Sequence, residues 1–238
     1  MQEVSCREIA EMIDHSLLRP NLTDDDIVKG CEIAKKYNVA SVCVRPSDVT
    51  RAKELLKDSD VLVTTVIGFP HGAHTTATKL FEAEEAIKNG AVEIDMVLNI
   101  GKLLSHDYDY IEREIKAIVE MAHARGVVVK VILENCYLTD ELKVMACQIC
   151  ERAGADYVKT STGFGPGGAT IPDIELMRRS VSPKVKIKAA GGVRTLEAAI
   201  QVRAAGCTRF GATATEAIME ECLRREAEGG PRASEPDR

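Results

Sequence analysis

No apolar run in this chain approaches the ~18 residues that mark a membrane-crossing helix. Met1–Met12 is polar and carries acids, so neither a secretory signal nor a transit peptide is expected there, and a cytoplasmic location is. Positive charge is not in excess. The net charge of −6 argues against a general nucleic-acid binder. Cysteines are present without a framework: the eight, at 6, 31, 43, 136, 147, 150, 207 and 222, are expected to be reduced thiols. Cys147 and Cys150 form a CxxC, but it falls inside an amphipathic helix pattern and has no second CxxC at zinc-ribbon spacing. No linker or composition break divides the chain before Glu226, where EGGPRASEPDR begins. A single domain over 1–225 is therefore expected, with a disordered tail over 226–238.

What the chain does have is a repeating order of strand, Gly- or polar-rich loop, and helix. A short opening helix, Ser5–Glu11, precedes strands expected at Met12–His15, Ala40–Val44, Val61–Ile67, Val92–Leu98, Val127–Leu133, around Tyr157–Lys159, Val185–Ala189 and Thr208–Gly211. Helices are expected between them at Thr23–Tyr37, Ser47–Lys57, Thr75–Asn89, Tyr108–Arg125, Thr139–Ala153, Pro172–Ser180 and Leu196–Ala205, with Thr213–Arg225 closing the series. Thr23 is followed by three acids, which suit the positive end of a helix. Eight such units with near-continuous apolar strands predict an α/β fold, a (β/α)8 TIM barrel with a short extra N-terminal helix. A doubly wound sheet would use fewer units and place a dinucleotide fingerprint after its first strand.

The stretch Asp156–Gly165, DYVKTSTGFG, carries the most chemistry. Lys159 lies in the same parity as Tyr157, so if Val158 packs on helices the ammonium points into the barrel. Desolvation there favours the neutral amine, which is a nucleophile. A lone strand-end lysine commonly snorkels to solvent instead. The downstream strand in KVKIKAAGGVR changes that balance, because Lys184, Lys186 and Lys188 alternate with Val185 and Ile187. Lys188 is the one at the carboxyl end, where catalytic side chains gather in such barrels. Two lysines at neighbouring strand ends repel, and each lowers the other's affinity for a proton.

Asp95 lies mid-strand in EIDMVLN, where an unpaired carboxylate is costly. Lys188 is its expected partner across the barrel; a plain structural ion pair is the alternative reading. Asp14 on the first strand is an inward candidate for hydroxyl binding, and Cys43 is either pocket wall or core. Glycines follow three late strands, at Gly163–Gly168, Gly191–Gly192 and Gly211, each before a helix. Backbone N–H groups and helix N-termini can converge there on a phosphate, with Arg194 and Thr213 close by. In His71-Gly-Ala-His74 the spacing admits a metal ion, but no third ligand is evident and a turn capped by His74 explains it as well. His15 is expected to hydrogen-bond near the site; His106 and His123 read as surface residues.

Taken together, YVKTSTGF, EIDMVLNIG, KIKAAGGVRT, GFPHG and RFGAT, in their order here from about Met12 to Arg225, resemble the deoxyribose-phosphate aldolase family. The resemblance implies a class I aldolase on a TIM barrel, cleaving 2-deoxy-D-ribose 5-phosphate to D-glyceraldehyde 3-phosphate and acetaldehyde. It implies no cofactor and no metal, with a covalent imine on Lys159 and with Asp95 and Lys188 moving protons. Thr160, Gly163, Gly191, Gly192, Val193, Arg194, Gly211 and Thr213 would surround the phosphate. The partners implied are a small sugar phosphate and aldehydes, with no nucleic acid and no membrane, and a homo-oligomer, dimer or tetramer. Two positions depart from the family: Phe164 stands where some members have lysine, and Ala214 where many have serine. Both weaken the expected hold on phosphate. Another class I aldolase, a barrel isomerase, or a sugar-phosphate sensor without catalysis are the competing readings.

Overall fold

Short apolar runs broken by turn residues form strands, and longer amphipathic runs between them form helices, which fixes the layer order. The computed structural model describes residues 4–229. Its strands are β1 Ile13–Leu17, β2 Ser41–Val44, β3 Leu62–Ile67, β4 Glu93–Val97, β5 Val128–Ile132, β6 Tyr157–Lys159, β7 Lys186–Ala189 and β8 Arg209–Ala212. Each pairs in parallel with the next in sequence, and β8 pairs with β1, so the sheet closes into a barrel. The helices are α1 Cys6–Ala10, α2 Asp24–Tyr37, α3 Val49–Leu56, α4 Thr76–Asn89, α5 Ile100–Leu104, α6 Tyr108–His123, α7 Asp140–Arg152, α8 Ile171–Ser180, α9 Leu196–Ala204 and α10 Thr215–Ala227. This is the expected (β/α)8 barrel with one extra helix at its start.

The apolar core lies between strands and helices. Outward residues such as Ile13, Val42, Ile94, Val131, Val158, Ile187 and Phe210 are buried against helical Ile27, Ile115, Ile118, Ile149, Ile174 and Ile218. The barrel interior is instead rich in polar and charged side chains. Threonines 23, 75, 139, 170 and 195 cap their helices, each accepting a backbone N–H that the first turn leaves free. It is therefore Thr75, and not His74, that caps the helix after the His71–His74 turn.

Several element ends differ from the sequence expectation. The helix foreseen from Ser47 begins as a 3-10 turn, Pro46–Asp48, before α3. Helix α5 was not signalled by the sequence; Asn99 caps it through Lys102 N. Helix α10 runs past Arg225 to Ala227, and Glu226 there accepts a hydrogen bond from the Cys6 amide at 2.8 Å. The rest of the expected tail, residues 230–238, lies outside the described residues. The reduced-thiol expectation also needs correction: Cys6 and Cys222 form a disulfide between α1 and α10, 216 residues apart. Cys31, Cys43, Cys136, Cys147, Cys150 and Cys207 are free. The CxxC pair of α7 is fully buried, and burial pushes the Cys147 thiol up to about 12, which disfavours the thiolate that metal or redox chemistry would need.

Candidate active site

Strand parity decides which residues enter the barrel. Asp95 on β4 lies in register with Lys130 on β5, and Lys159 on β6 with Lys188 on β7, so their side chains project from adjacent strands into one space. Lys159 Nζ and Lys188 Nζ both donate to Asp95 Oδ2, each at 2.7 Å. Lys130 Nζ donates to Asp95 Oδ1 at 3.0 Å and to Glu93 Oε2 at 2.6 Å. Asp14 on β1 meets the ammonium of Lys188 and lies 3.1 Å from Arg209 Nη1. Arg209 Nη2 closes the lower layer on Glu93, at 2.6 and 2.7 Å. Thr64 Oγ1 also donates to Glu93, at 2.9 Å.

Burial and charge pull on these groups in opposite directions. Burial raises the proton affinity of Asp95, but Lys130, Lys159 and Lys188 outweigh it and hold the carboxyl well below its ordinary range. The same contest leaves Asp14 at about 2: burial is opposed by Lys188, Lys130 and Arg209. For Lys188 burial is overcome by Asp14 and Asp95, so it holds its proton more tightly than an ordinary lysine. Lys159 differs. Burial lowers its proton affinity, the charge of Lys188 lowers it further, and Asp95 only partly opposes them. Of the three interior lysines, Lys159 is the one poised to exist as a free amine.

Above this cluster, at the carboxyl ends of the strands, lies a cavity of about 410 Å³; Asp95 itself sits just beneath its lining, reached through Lys159 and Lys188. Asp14, Cys43, Lys159 and Lys188 line the floor. Gly163, Gly191, Gly192, Val193, Arg194, Gly211 and Thr213 line the wall above it. Burial pushes the Cys43 thiol up to about 11, so it stands in the floor as a neutral thiol. Gly191 has φ +79° and packs against Gly168, so closely that a Cβ on Gly168 would strike its carbonyl; both positions require glycine. Gly165 and Gly167 pack on Glu134 and Cys136 and are absent from this cavity. Phe164 does line it, half-exposed, with its ring edge-on to Phe69 at 5.3 Å.

Thr160 and His15 are placed elsewhere. The Thr160 hydroxyl donates to Ala190 O at 3.2 Å and accepts from Ala190 N at 3.0 Å, clasping the ends of β6 and β7; it does not line the cavity. His15 points outward from β1, its Nδ1 2.8 Å from Thr215 Oγ1 on α10. His71 and His74 are exposed, and no group of three or more metal-binding side chains occurs among the described residues.

Sequence reasoning missed five residues: Glu93, Lys130, Arg209, Arg19 and Glu134. Lys130 could have been found by the signal that found Asp95, a charge in the middle of an apolar strand. Arg209, at the start of β8, gives no such signal. Arg19, from the loop after β1, lines the cavity and adds a second cation to that of Arg194. Glu134 adopts a left-handed conformation, φ 57°, and its carboxylate accepts the Thr162 amide at 3.1 Å and the Thr162 hydroxyl. It thereby holds the loop that follows Lys159.

A parallel barrel whose strand ends carry lysines on one carboxylate is an architecture suited to carbonyl chemistry. The family model of the DeoC/LacD family aldolases matches residues 9–218, and the chain belongs to that family. A deoxyribose-phosphate aldolase of Thermoanaerobacter sp. (strain X514) is 58% identical over 214 residues, covering 90% of this chain and 96% of that protein. A deoxyribose-phosphate aldolase of Caldanaerobacter subterraneus subsp. tengcongensis is 55% identical over 221 residues, covering 92% and 96%. Among solved structures, the tetrameric deoxyribose phosphate aldolase from Aeropyrum pernix superposes with a TM-score of 0.85 at 31% identity, over 91% of this chain and 92% of that one.

Proposed function

We propose that this aldolase reversibly cleaves 2-deoxy-D-ribose 5-phosphate to D-glyceraldehyde 3-phosphate and acetaldehyde through an imine on Lys159. The observation that carries this reading is the amine of Lys159 on the floor of the cavity, with lowered proton affinity and 2.7 Å from the Asp95 carboxylate. The names of the relatives above support the substrate.

The chemistry follows from the groups present. The amine of Lys159 attacks C1 of the open-chain sugar, and the carbinolamine loses water to give a protonated imine. A base removes the proton of the C3 hydroxyl; the C2–C3 bond breaks, C3 becomes the aldehyde of the departing triose phosphate, and the electron pair moves to C2 as an enamine. Protonation at C2 and hydrolysis release acetaldehyde and return the amine. Asp95 and Lys188, with a water, carry the protons. Arg194, Thr213 and the backbone around Gly163, Gly191, Gly192, Val193 and Gly211 hold the phosphate, with Arg19 in the same cavity, so remote binding energy orients the reacting carbons.

No metal has a role in this scheme, because the cation that accepts electrons is the imine itself. We further propose that the chain assembles as a homo-oligomer, as the Aeropyrum pernix relative does. The test is product analysis. Incubation with 2-deoxyribose 5-phosphate in excess EDTA should release triose phosphate and acetaldehyde in equal amounts at the rate seen without chelator. Loss of activity that zinc restores, or release of other carbon fragments, would overturn the proposal.

A further inference from the structure

The barrel interior contains three carboxylates, Asp14, Glu93 and Asp95, and four basic groups, Lys130, Lys159, Lys188 and Arg209, every side chain 8% exposed or less. With every group ionised the buried cluster would carry one positive charge in excess. Loss of a single proton balances it, and uncompensated charge is costly in such surroundings. Contacts decide which group yields. Arg209 bears a guanidinium that does not deprotonate in proteins and lies on both Glu93 and Asp14. Lys130 is held by Glu93 and Asp95, and Lys188 by Asp95 and Asp14. Lys159 touches a single carboxylate oxygen, the same Asp95 Oδ2 that Lys188 uses.

We infer that Glu93, Lys130 and Arg209, the layer beneath the reacting groups, are positioning residues that set the proton affinity of Lys159 through the charge balance of the cluster: the two cations favour the free amine and Glu93 opposes them. None of the three lines the cavity. Lys130 acts from behind: by occupying Oδ1 of Asp95 it leaves one oxygen for two lysines to share. Glu93 and Arg209 complete the balance from below, with Thr64 fixing the Glu93 carboxylate. The titratable groups that act on Lys159 directly are Asp95 on β4, Lys188 on β7 and Cys43 on β2. Asp14 on β1, Glu93 on β4, Lys130 on β5 and Arg209 on β8 act through them. Lys186 on β7 shares the inward parity but is exposed, its ammonium over the Tyr157 ring, so solvent screens it. Tyr157 lies below Lys159 on β6, and β3 contributes the neutral Thr64. Cys43 is a neutral thiol, so the balance rests on the acids and bases alone.

The inference rests on Lys159 being the nucleophile, and its test separates the two claims. The full chain is trapped with acetaldehyde and cyanoborohydride across a pH series, the adduct is mapped by peptide mass, and folding is checked by circular dichroism. Glu93→Gln adds net positive charge, so the midpoint of the trapping rate should move to lower pH, by on the order of one unit. Lys130→Met and Arg209→Gln each remove a cation, so both midpoints should move to higher pH by a similar amount. The double variant Glu93→Gln, Lys130→Met restores the balance, and its midpoint should return close to that of the parent. A structural role alone predicts slower trapping with no opposed shifts. Midpoints that move in one direction, or a double variant shifted as far as either single one, overturn the inference. If Glu93→Gln or Lys130→Met fails to fold alone, Arg209→Gln (shifted upward) and the charge-balanced double variant (unshifted) still decide it; if Arg209→Gln fails, the opposed shifts of Glu93→Gln and Lys130→Met do. An adduct in the parent on a residue other than Lys159 defeats the nucleophile assignment instead.

Discussion

At the residue scale the account turns on the unequal fates of two neighbouring lysines. Lys188 is neutralised by Asp14 and Asp95, whereas Lys159 has half a share of one oxygen. Lys159→Leu should abolish turnover and leave no reducible adduct. Lys188→Leu should still form one, more slowly, with the pH dependence of trapping moved upward, because a nearby positive charge has been removed. Raising the pH should recover trapping much more than turnover; equal recovery of both would remove Lys188 from proton transfer. A second prediction concerns Phe164, which lines the cavity beside Gly163. Phe164→Lys should raise the preference for 2-deoxyribose 5-phosphate over unphosphorylated deoxyribose, measured as the ratio of kcat/KM. A charge-assisted hydrogen bond is worth roughly 1.5–3 kcal/mol when sheltered, and solvent exposure here reduces that to a gain of about tenfold or less. An unchanged ratio would mean that the side chain does not reach the phosphate. Lys159, Lys188 and Asp95 were legible in the sequence because each breaks an apolar alternation at a strand end or centre. Arg209 was not, since its partners Glu93 and Asp14 lie 116 and 195 residues away and meet it only when the barrel closes.

At the scale of elements, the eight strands and the outer helices follow from periodicity, while their ends depend on contacts that periodicity does not encode. Pro46 turns the start of α3 into a 3-10 turn, and the Cys6 amide on Glu226 accompanies the extension of α10. The pairing of β1 with α10 through His15 and Thr215 was equally hidden: an inward Asp14 already turns His15 outward, but its partner lies 200 residues away and meets it only when the barrel closes. That pairing makes a pH prediction. Burial lowers the proton affinity of His15 to about 4 from an ordinary value of 6.5. Between those values the unfolded chain binds a proton that the folded one does not, so stability should fall as pH drops from about 6.5 to 4. The full effect is on the order of 3 kcal/mol. In His15→Gln, which keeps a hydrogen-bonding group toward Thr215, the fall in Tm across this window should shrink. The same fall in both proteins would place the acid sensitivity elsewhere.

At the scale of the whole molecule, closure of the barrel does two things that no local stretch could do. It brings α1 against α10, where the Cys6–Cys222 disulfide ties the two ends of the barrel together. Denatured but unreduced protein should therefore titrate six thiols rather than eight, and Cys222→Ser should lower stability by about 2–4 kcal/mol while leaving kcat unchanged. Titration of eight thiols would contradict the pairing. Closure also carries β4, β6 and β7 to one another, so that residues 64 and 93 positions apart in sequence place Lys159 and Lys188 on Asp95. The central claim is that this convergence makes Lys159 alone a nucleophile toward a carbonyl. The most direct measurement is reduction of the protein with acetaldehyde by borohydride near neutral pH, followed by intact and peptide mass analysis. The account predicts one two-carbon adduct per chain, on the peptide containing Lys159, together with loss of activity in proportion to labelling. An adduct on Lys188, or full labelling with activity retained, would contradict it.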